Sequence, residues 1–263
     1  MFSNISIGQY IPADSILHKL DPRSKIVTTF LMVPAVFLAA YPVQLGLVSM
    51  IIGFLVIISR LKLSSYVEAI RPFFFIIIAT VFLQLILIKG SVLIDLHLLS
   101  ISIEGLQTAL ATAIRLITLI ILVSIFTMTT TPGAITTGMG KIMKPLKKLG
   151  FPVHELVMII AISLRFIPIF IEETNRIKKA QMCRGAALLD GSLLQRARGI
   201  ISILVPLFNS CFQRAYDLAQ AMESRYYQGR EGCSHIYKSK FSLIDYGYIL
   251  LISAVSIGIL IYR

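Results

Sequence analysis

Roughly 17–25 consecutive apolar residues let a helix cross the hydrocarbon of a bilayer, and five stretches of this chain reach or come near that length. They are "IVTTFLMVPAVFLAA" (26–40), "VQLGLVSMIIGFLVIIS" (43–59), "PFFFIIIATVFLQLILI" (72–88), "GLQTALATAIRLITLIILVSIFTM" (105–128) and "LIDYGYILLISAVSIGILIY" (243–262). The first is slightly short and needs its flanking residues. Tyr41-Pro42 joins it to the second by a tight turn. Arg115 interrupts the fourth, where it reads as a structural arginine that snorkels or bonds to carbonyls. Charged residues make up 14% of the chain, against about 25% in soluble domains. The fold class is therefore all-α, an integral membrane helical bundle of about five transmembrane helices.

Lys and Arg sort unevenly along this topology. With the N-terminus, the 60–71 loop and residues 129–241 on one side, that side holds 22 of the 25 Lys and Arg. Only Lys89 and Arg263 lie opposite, and Arg115 is within a span. Basic residues accumulate on the cytoplasmic side, so the N-terminus reads as cytoplasmic and the C-terminus as outside. No early apolar run marks a cleavable leader. Between the third and fourth spans, "VLIDLHLLSISIEG" alternates polar and apolar residues and predicts a short extended hairpin outside the membrane. Cys183, Cys211 and Cys233 lack metal spacing and read as reduced thiols.

The chain then divides into residues 1–128 with spans one to four, a cytoplasmic block at 129–241, and the last span at 242–263. Two long helices dominate the block. "ELVMIIAISLRFIPIFIEE" (155–173) runs on through "TNRIKKAQMCRGA", and "ISILVPLFNSCFQRAYDLAQAMES" (201–224) runs to Arg225. The apolar part of each could enter the bilayer as an extra span. Each such part is short, contains a proline and lacks a flanking charge switch, which favours the cytoplasmic reading. On the second helix Ile201, Leu204, Phe208, Cys211, Phe212, Ala215, Leu218, Ala219 and Met222 form one apolar stripe. Gln213, Arg214, Asp217 and Gln220 take the other side.

Both helices end at an arginine. An arginine there can simply offset the helix dipole, an effect of roughly 0.3–1 kcal/mol, with Gly185 as the residue that stops the first helix. Two such endings with Met182 and Met222 nearby also have the composition of a protein-binding hot spot. A guanidinium adds a bidentate fork for a partner's carboxylate.

Over nearly its whole length the chain resembles the T component, the common transmembrane subunit, of energy-coupling-factor (ECF) vitamin transporters. "ADSILHKLDPRSK" (13–25) is similar to that family's N-terminal signature, and "LRFIPIFIEE" (164–173) to its segment before the first coupling tip. The resemblance implies two short motifs, each typically Ala-Arg-Gly, at the ends of cytoplasmic coupling helices that dock on two ABC-type ATPase subunits. "AQMCRGA" matches the first, with Met182, Cys183, Arg184 and Gly185. "AMESRYY" matches the second, with Met222, Glu223, Ser224, Arg225 and Tyr226. Cys183 and Ser224 replace the usual alanines. Tyr226 replaces the usual glycine, which leaves open what stops that helix. The literal Ala197-Arg198-Gly199 leads into an apolar helix instead of ending one, and reads as a decoy. The resemblance further implies a multi-pass protein of the bacterial cell membrane. Its helices would transmit ATP-driven movement to a separate substrate-binding membrane subunit.

Enzyme readings find no support. There is no glycine-rich phosphate loop, no HExxH, no GxSxG and no Cys/His cluster, so neither cofactor nor metal is expected. His18, His97, His154 and His235 are scattered, and Glu172-Glu173 point about 100° apart on a helix. The basic excess is explained by topology, without nucleic acid. The rival readings are a self-sufficient transporter or channel, and a membrane scaffold with no transport role. A self-sufficient transporter calls for ionisable groups along a path through the spans, and Arg115 is the one clear example.

Overall fold

The computed structural model describes residues 10–39, 41–88, 92–96, 99–186, 193–227, 229 and 241–261. His97, Cys233 and His235, with the span ends at Ala40 and Tyr262, lie outside these residues. The chain forms two compact units, one running to Ile142 and resumed by the C-terminal helix, the other spanning Met143–Lys238.

In the first unit the helices are α1 (Ile16–Lys19), α2 (Pro22–Leu38), α3 (Pro42–Ser59), α4 (Leu63–Ile70) and α5 (Phe74–Leu87). A hairpin of β1 (Val92–Leu96) and β2 (Leu99–Ser102) follows, then α6 (Ile103–Thr129), α7 (Pro132–Ile142) and, at the C-terminus, α10 (Leu243–Ile261). The hairpin predicted from alternation is antiparallel, with Leu96 opposite Leu99. Each long helix has a local reason to start. The Asp21 carboxylate accepts the Arg23 N–H at 2.9 Å, with Pro22 in the first position of α2. Pro42 opens α3, with Tyr41 as its cap residue. The Ser102 hydroxyl accepts from Gly105 N–H and donates to the Ile88 carbonyl, joining the end of α5 to the start of α6.

Three helical runs of this unit, Pro42–Ser59, Leu63–Leu87 and Ile103–Thr129, are long and apolar enough to cross a membrane. The first and last expected spans come out shorter: α2 has 17 residues and begins on the polar turn Pro22–Lys25, and the apolar helix of α10 runs over Leu243–Ile259. One expectation is corrected here: residues 63–70, read as part of a loop, form α4. It folds because Tyr66 buries against the end of α3, its hydroxyl 2.8 Å from that of Ser59.

Burial follows the rule for lipid, where the outside is at least as apolar as the inside. Phe30, Phe54, Phe75 and Phe82 are exposed, whereas Ser24, Thr28, Ser59, Thr118 and Ser256 are buried. Thr28 and Thr118 are satisfied within their own helices by the Ser24 and Ile114 carbonyls, and the Ser256 hydroxyl donates to Met32 Sδ across the core. Met32, Ala35, Val36, Val48, Ile52, Leu122, Ile125 and Ile252 form the apolar core between them. Arg115, placed by the sequence inside a span, donates to the Ala39 carbonyl at 2.7 Å and so caps the end of α2.

The 13–25 signature builds a polar knot. Asp245, in the first turn of α10 and 1% exposed, accepts from Asp21 N–H (2.8 Å), the Ser24 hydroxyl (2.9 Å) and Ser242 N–H (2.8 Å). Lys25, also buried, donates its ammonium to the Thr129 carbonyl at the end of α6. His18 closes the preceding turn. Its Nε2 donates to the Ile11 carbonyl and its Nδ1 takes the Ser15 hydroxyl, while burial lowers its pKa below the usual histidine value.

α7 belongs with this unit and packs on α2 at Gly138. A Cβ there would meet Pro22 Cβ at 3.0 Å and Ile26 Cδ1 at 3.1 Å. We expect Gly138→Leu to force α7 off α2 and destabilise the protein by about 1–3 kcal/mol. The fall in melting temperature of the detergent-solubilised chain checks this, with Gly133→Leu as the unhindered control.

Candidate functional site

The second unit is built on two helices, α8 (Val153–Cys183) and α9 (Leu193–Ser224), preceded by a 3₁₀ turn at Lys144–Leu149 that ends on Gly150 with φ +82°. α8 runs 31 residues without a break through Pro168, about 46 Å. By length and composition it too could cross a membrane.

Two contacts give the direction of the pair. Arg214 on α9 approaches Glu173 on α8 at 3.5 Å, and the Tyr227 hydroxyl, just past α9, donates to Met158 Sδ at 2.9 Å. Later residues of α9 therefore meet earlier residues of α8, so the helices run antiparallel. Arg225 lies opposite the neighbourhood of Ala161, 23 residues before Arg184. At 1.5 Å per residue the two arginines are on the order of 35 Å apart along the pair.

The two tips share one backbone geometry. At the end of α8, Ala186 N–H donates to the Gln181 carbonyl and Gly185 N–H to the Met182 carbonyl, both at 3.0 Å. At the end of α9, Tyr227 N–H donates to the Met222 carbonyl at 3.0 Å and Tyr226 N–H to the Glu223 carbonyl at 2.8 Å. Each is a Schellman motif with its arginine at the C-cap. The left-handed residue that follows is Gly185 at φ +81° in one and Tyr226 at φ +58° in the other. The open question of what stops α9 is thus answered: the tyrosine itself turns left-handed. A non-glycine residue in that region costs roughly 1–2 kcal/mol. The literal Ala197-Arg198-Gly199 lies within α9, one turn from its start, and ends nothing.

Exposure is concentrated at these ends. Cys183, Arg184 and Gly185 are exposed, as are Glu223, Ser224, Arg225 and Tyr226, while Met182 is 48% exposed and Met222 is half-buried. Among the described residues neither Arg184 nor Arg225 has an ion-pair partner. Cys183 and Cys211 are free thiols.

The apolar stripe of α9 needs correction. Cys211, Leu218 and Met222 are partly covered, but Ile201, Leu204, Phe208 and Phe212 stay exposed within the chain. Arg214, assigned to the water face, instead turns toward α8 because Glu173 offers it a counter-charge. Sequence reasoning also missed Tyr227 as the anchor of the second tip. The doubled Tyr226-Tyr227 was a signal, since adjacent residues at a helix end face different ways.

Comparison with known proteins supplies the context for these tips. A model of the family described as CbiQ, cobalt transport protein, matches residues 13–236. The energy-coupling factor transporter transmembrane protein EcfT of Ruminiclostridium cellulolyticum is 40% identical over 245 residues, 93% of this chain and 92% of the relative. Its counterpart from Thermosediminibacter oceani is 39% identical over 98% of both chains, and that of Bacillus subtilis 40% identical over 88% of both.

Proposed function

This chain belongs to the CbiQ family, with the EcfT transmembrane proteins of energy-coupling factor transporters among its relatives, and from that premise we propose that it couples ATP hydrolysis by two partner ATPase subunits to a substrate-binding membrane subunit. One observation carries the reading: two arginines, without an ion-pair partner among the described residues, sit on Schellman caps at opposite ends of one antiparallel pair. Feet about 35 Å apart suit two sites, one on each of two ATPase subunits, better than a single site. Each guanidinium offers a bidentate fork to a carboxylate, and the methionine one turn back or alongside supplies adaptable apolar contact.

The cap geometry suits transmission of force. Closing the last carbonyls by Schellman bonds leaves no frayed turn to absorb a displacement. Movement of either ATPase subunit then passes along α8 or α9. The exposed Ile201, Leu204, Phe208 and Phe212 supply an apolar surface that calls for a covering partner, and the substrate-binding subunit is the candidate. The charge distribution supports placing this unit on the cytoplasmic side, with the N-terminus inside and the C-terminus out.

Thiol labelling tests the docking. Cys183 precedes Arg184 and is exposed. In a chain carrying Cys211→Ser and Cys233→Ser, a maleimide should label Cys183 readily when the chain is alone. The rate should drop at least tenfold once the ATPase subunits are bound. Equal rates in the two states would count against docking at this tip. Reconstituted alone in vesicles, the chain should give no flux; uptake without ATPase subunits would point to a self-sufficient transporter.

A further inference from the structure

At the tip of α9 a tyrosine occupies the backbone position that glycine fills at the tip of α8. The same two closing hydrogen bonds form at both positions, and the side chain at the left-handed residue sets the two tips apart. A helix end shaped only by stability takes glycine or asparagine at a left-handed residue. Tyr226 is held there at φ +58°, and the residue is 81% exposed.

Among the described residues the ring has no internal task. Its neighbour Tyr227 fastens the tip, through the hydroxyl bond to Met158 on α8. Tyr226 makes no hydrogen bond or ring contact through its side chain among the described residues. A strained backbone that presents an open aromatic ring beside a guanidinium with no ion-pair partner among the described residues points to a binding surface, because strain of this kind persists where a bound partner uses it. Tyrosine and arginine are also the residue types that dominate binding hot spots.

We propose that Tyr226 is the specificity residue of the second foot: its phenol ring enters an apolar slot on one ATPase subunit, beside the carboxylate that receives Arg225. The first foot, with Gly185 at the same place, presents only Arg184 and Met182 and fits a site that has no slot. The feet are then not interchangeable, and the chain seats on its ATPase pair in one of the two possible orientations. This inference rests on the docking function proposed above.

The experiment uses the full chain in lipid nanodiscs with its ATPase subunits. Tyr226→Gly removes the ring and relieves the left-handed strain, so its melting temperature should equal or exceed that of the parent. Dissociation of the ATPase subunits should nevertheless speed up at least tenfold. Tyr226→Phe keeps the ring and should dissociate within twofold of the parent. A photo-crosslinker placed at Ser224 should capture one ATPase subunit in the parent and both in Tyr226→Gly. Unchanged dissociation and capture in Tyr226→Gly would overturn the inference. So would a lowered melting temperature, which would make the ring structural. Arg184→Ala and Arg225→Ala separate the two levels. If they release the ATPase subunits while Tyr226→Gly does not, only the tyrosine inference fails. If they release nothing, the docking function itself fails.

Discussion

Reversing the charge of both feet, Arg184→Glu with Arg225→Glu, should leave a folded membrane protein that no longer retains its ATPase subunits. Both arginines are exposed and unpaired among the described residues, so the chain itself loses little: at most the dipole contribution of roughly 0.3–1 kcal/mol at each helix end. The docked complex loses far more. A hot-spot arginine contributes about 2 kcal/mol or more on truncation, and reversal sets a glutamate against the carboxylate it should have met. The feet also cooperate, because the first to dock holds the second at high local concentration. Single alanine variants should therefore lower retention by about tenfold to thirtyfold, and the double reversal should bring it below detection. Pull-down through a tag on the substrate-binding subunit reads this directly, with ATP-driven uptake in vesicles falling in parallel. Full retention by the double variant would end the docking proposal, and retention without uptake would recast the feet as transmitters only.

Asp245→Ala should be the most damaging single change in the helical bundle. The carboxylate is 1% exposed and accepts three hydrogen bonds from Asp21, Ser24 and Ser242. Alanine would strand the Asp21 and Ser242 N–H groups and remove one of the two carboxylates, Asp245 and Asp21, whose charges act on the buried Lys25. Breaking a buried charge arrangement from one side costs about 3–5 kcal/mol, a large share of a typical stability of 5–15 kcal/mol. Poor membrane yield and a melting temperature lowered by many degrees are the expected readings. Asp245→Asn keeps one carbonyl acceptor and should fall between parent and alanine. Phe75→Ala provides the contrast: a far larger side chain, but 80% exposed, whose loss should shift the melting temperature by a degree or two at most. A reversed order, with Phe75 the more costly, would mean that the bundle is held by its outward face.

Apolar length made the spans of α3, α5 and α6 legible, and Tyr41-Pro42 marked the junction before α3; the start of α2 at Asp21-Pro22 did not show, because it lies four residues ahead of the apolar run. Alternation made the β hairpin legible as well. α4 was not, because eight residues with one inward tyrosine carry too little apolar length to register as a span, and Tyr66 needs Ser59 as its partner. At the feet, the arginines stood out by position. The cap at Tyr226 did not, since left-handed tyrosine contradicts local propensity and only the surrounding hydrogen bonds reveal it. Arg214 misled for a related reason. An arginine reads as water-facing unless its counter-charge, here Glu173 some forty residues away, is known to lie opposite.

The bond from Ser24 to Asp245 joins residues 221 positions apart. Ribosomes add about 5–20 residues per second, so some 10 to 45 seconds pass between the two. Throughout that interval α2 is already made, yet the backbone N–H of Asp21 lacks its acceptor and the Ser24 hydroxyl has only the Asp21 carbonyl. Assembly of the bundle is therefore closed by the final helix and timed by translation. A chain cut short before α10 would carry an open polar seam that marks it as unfinished.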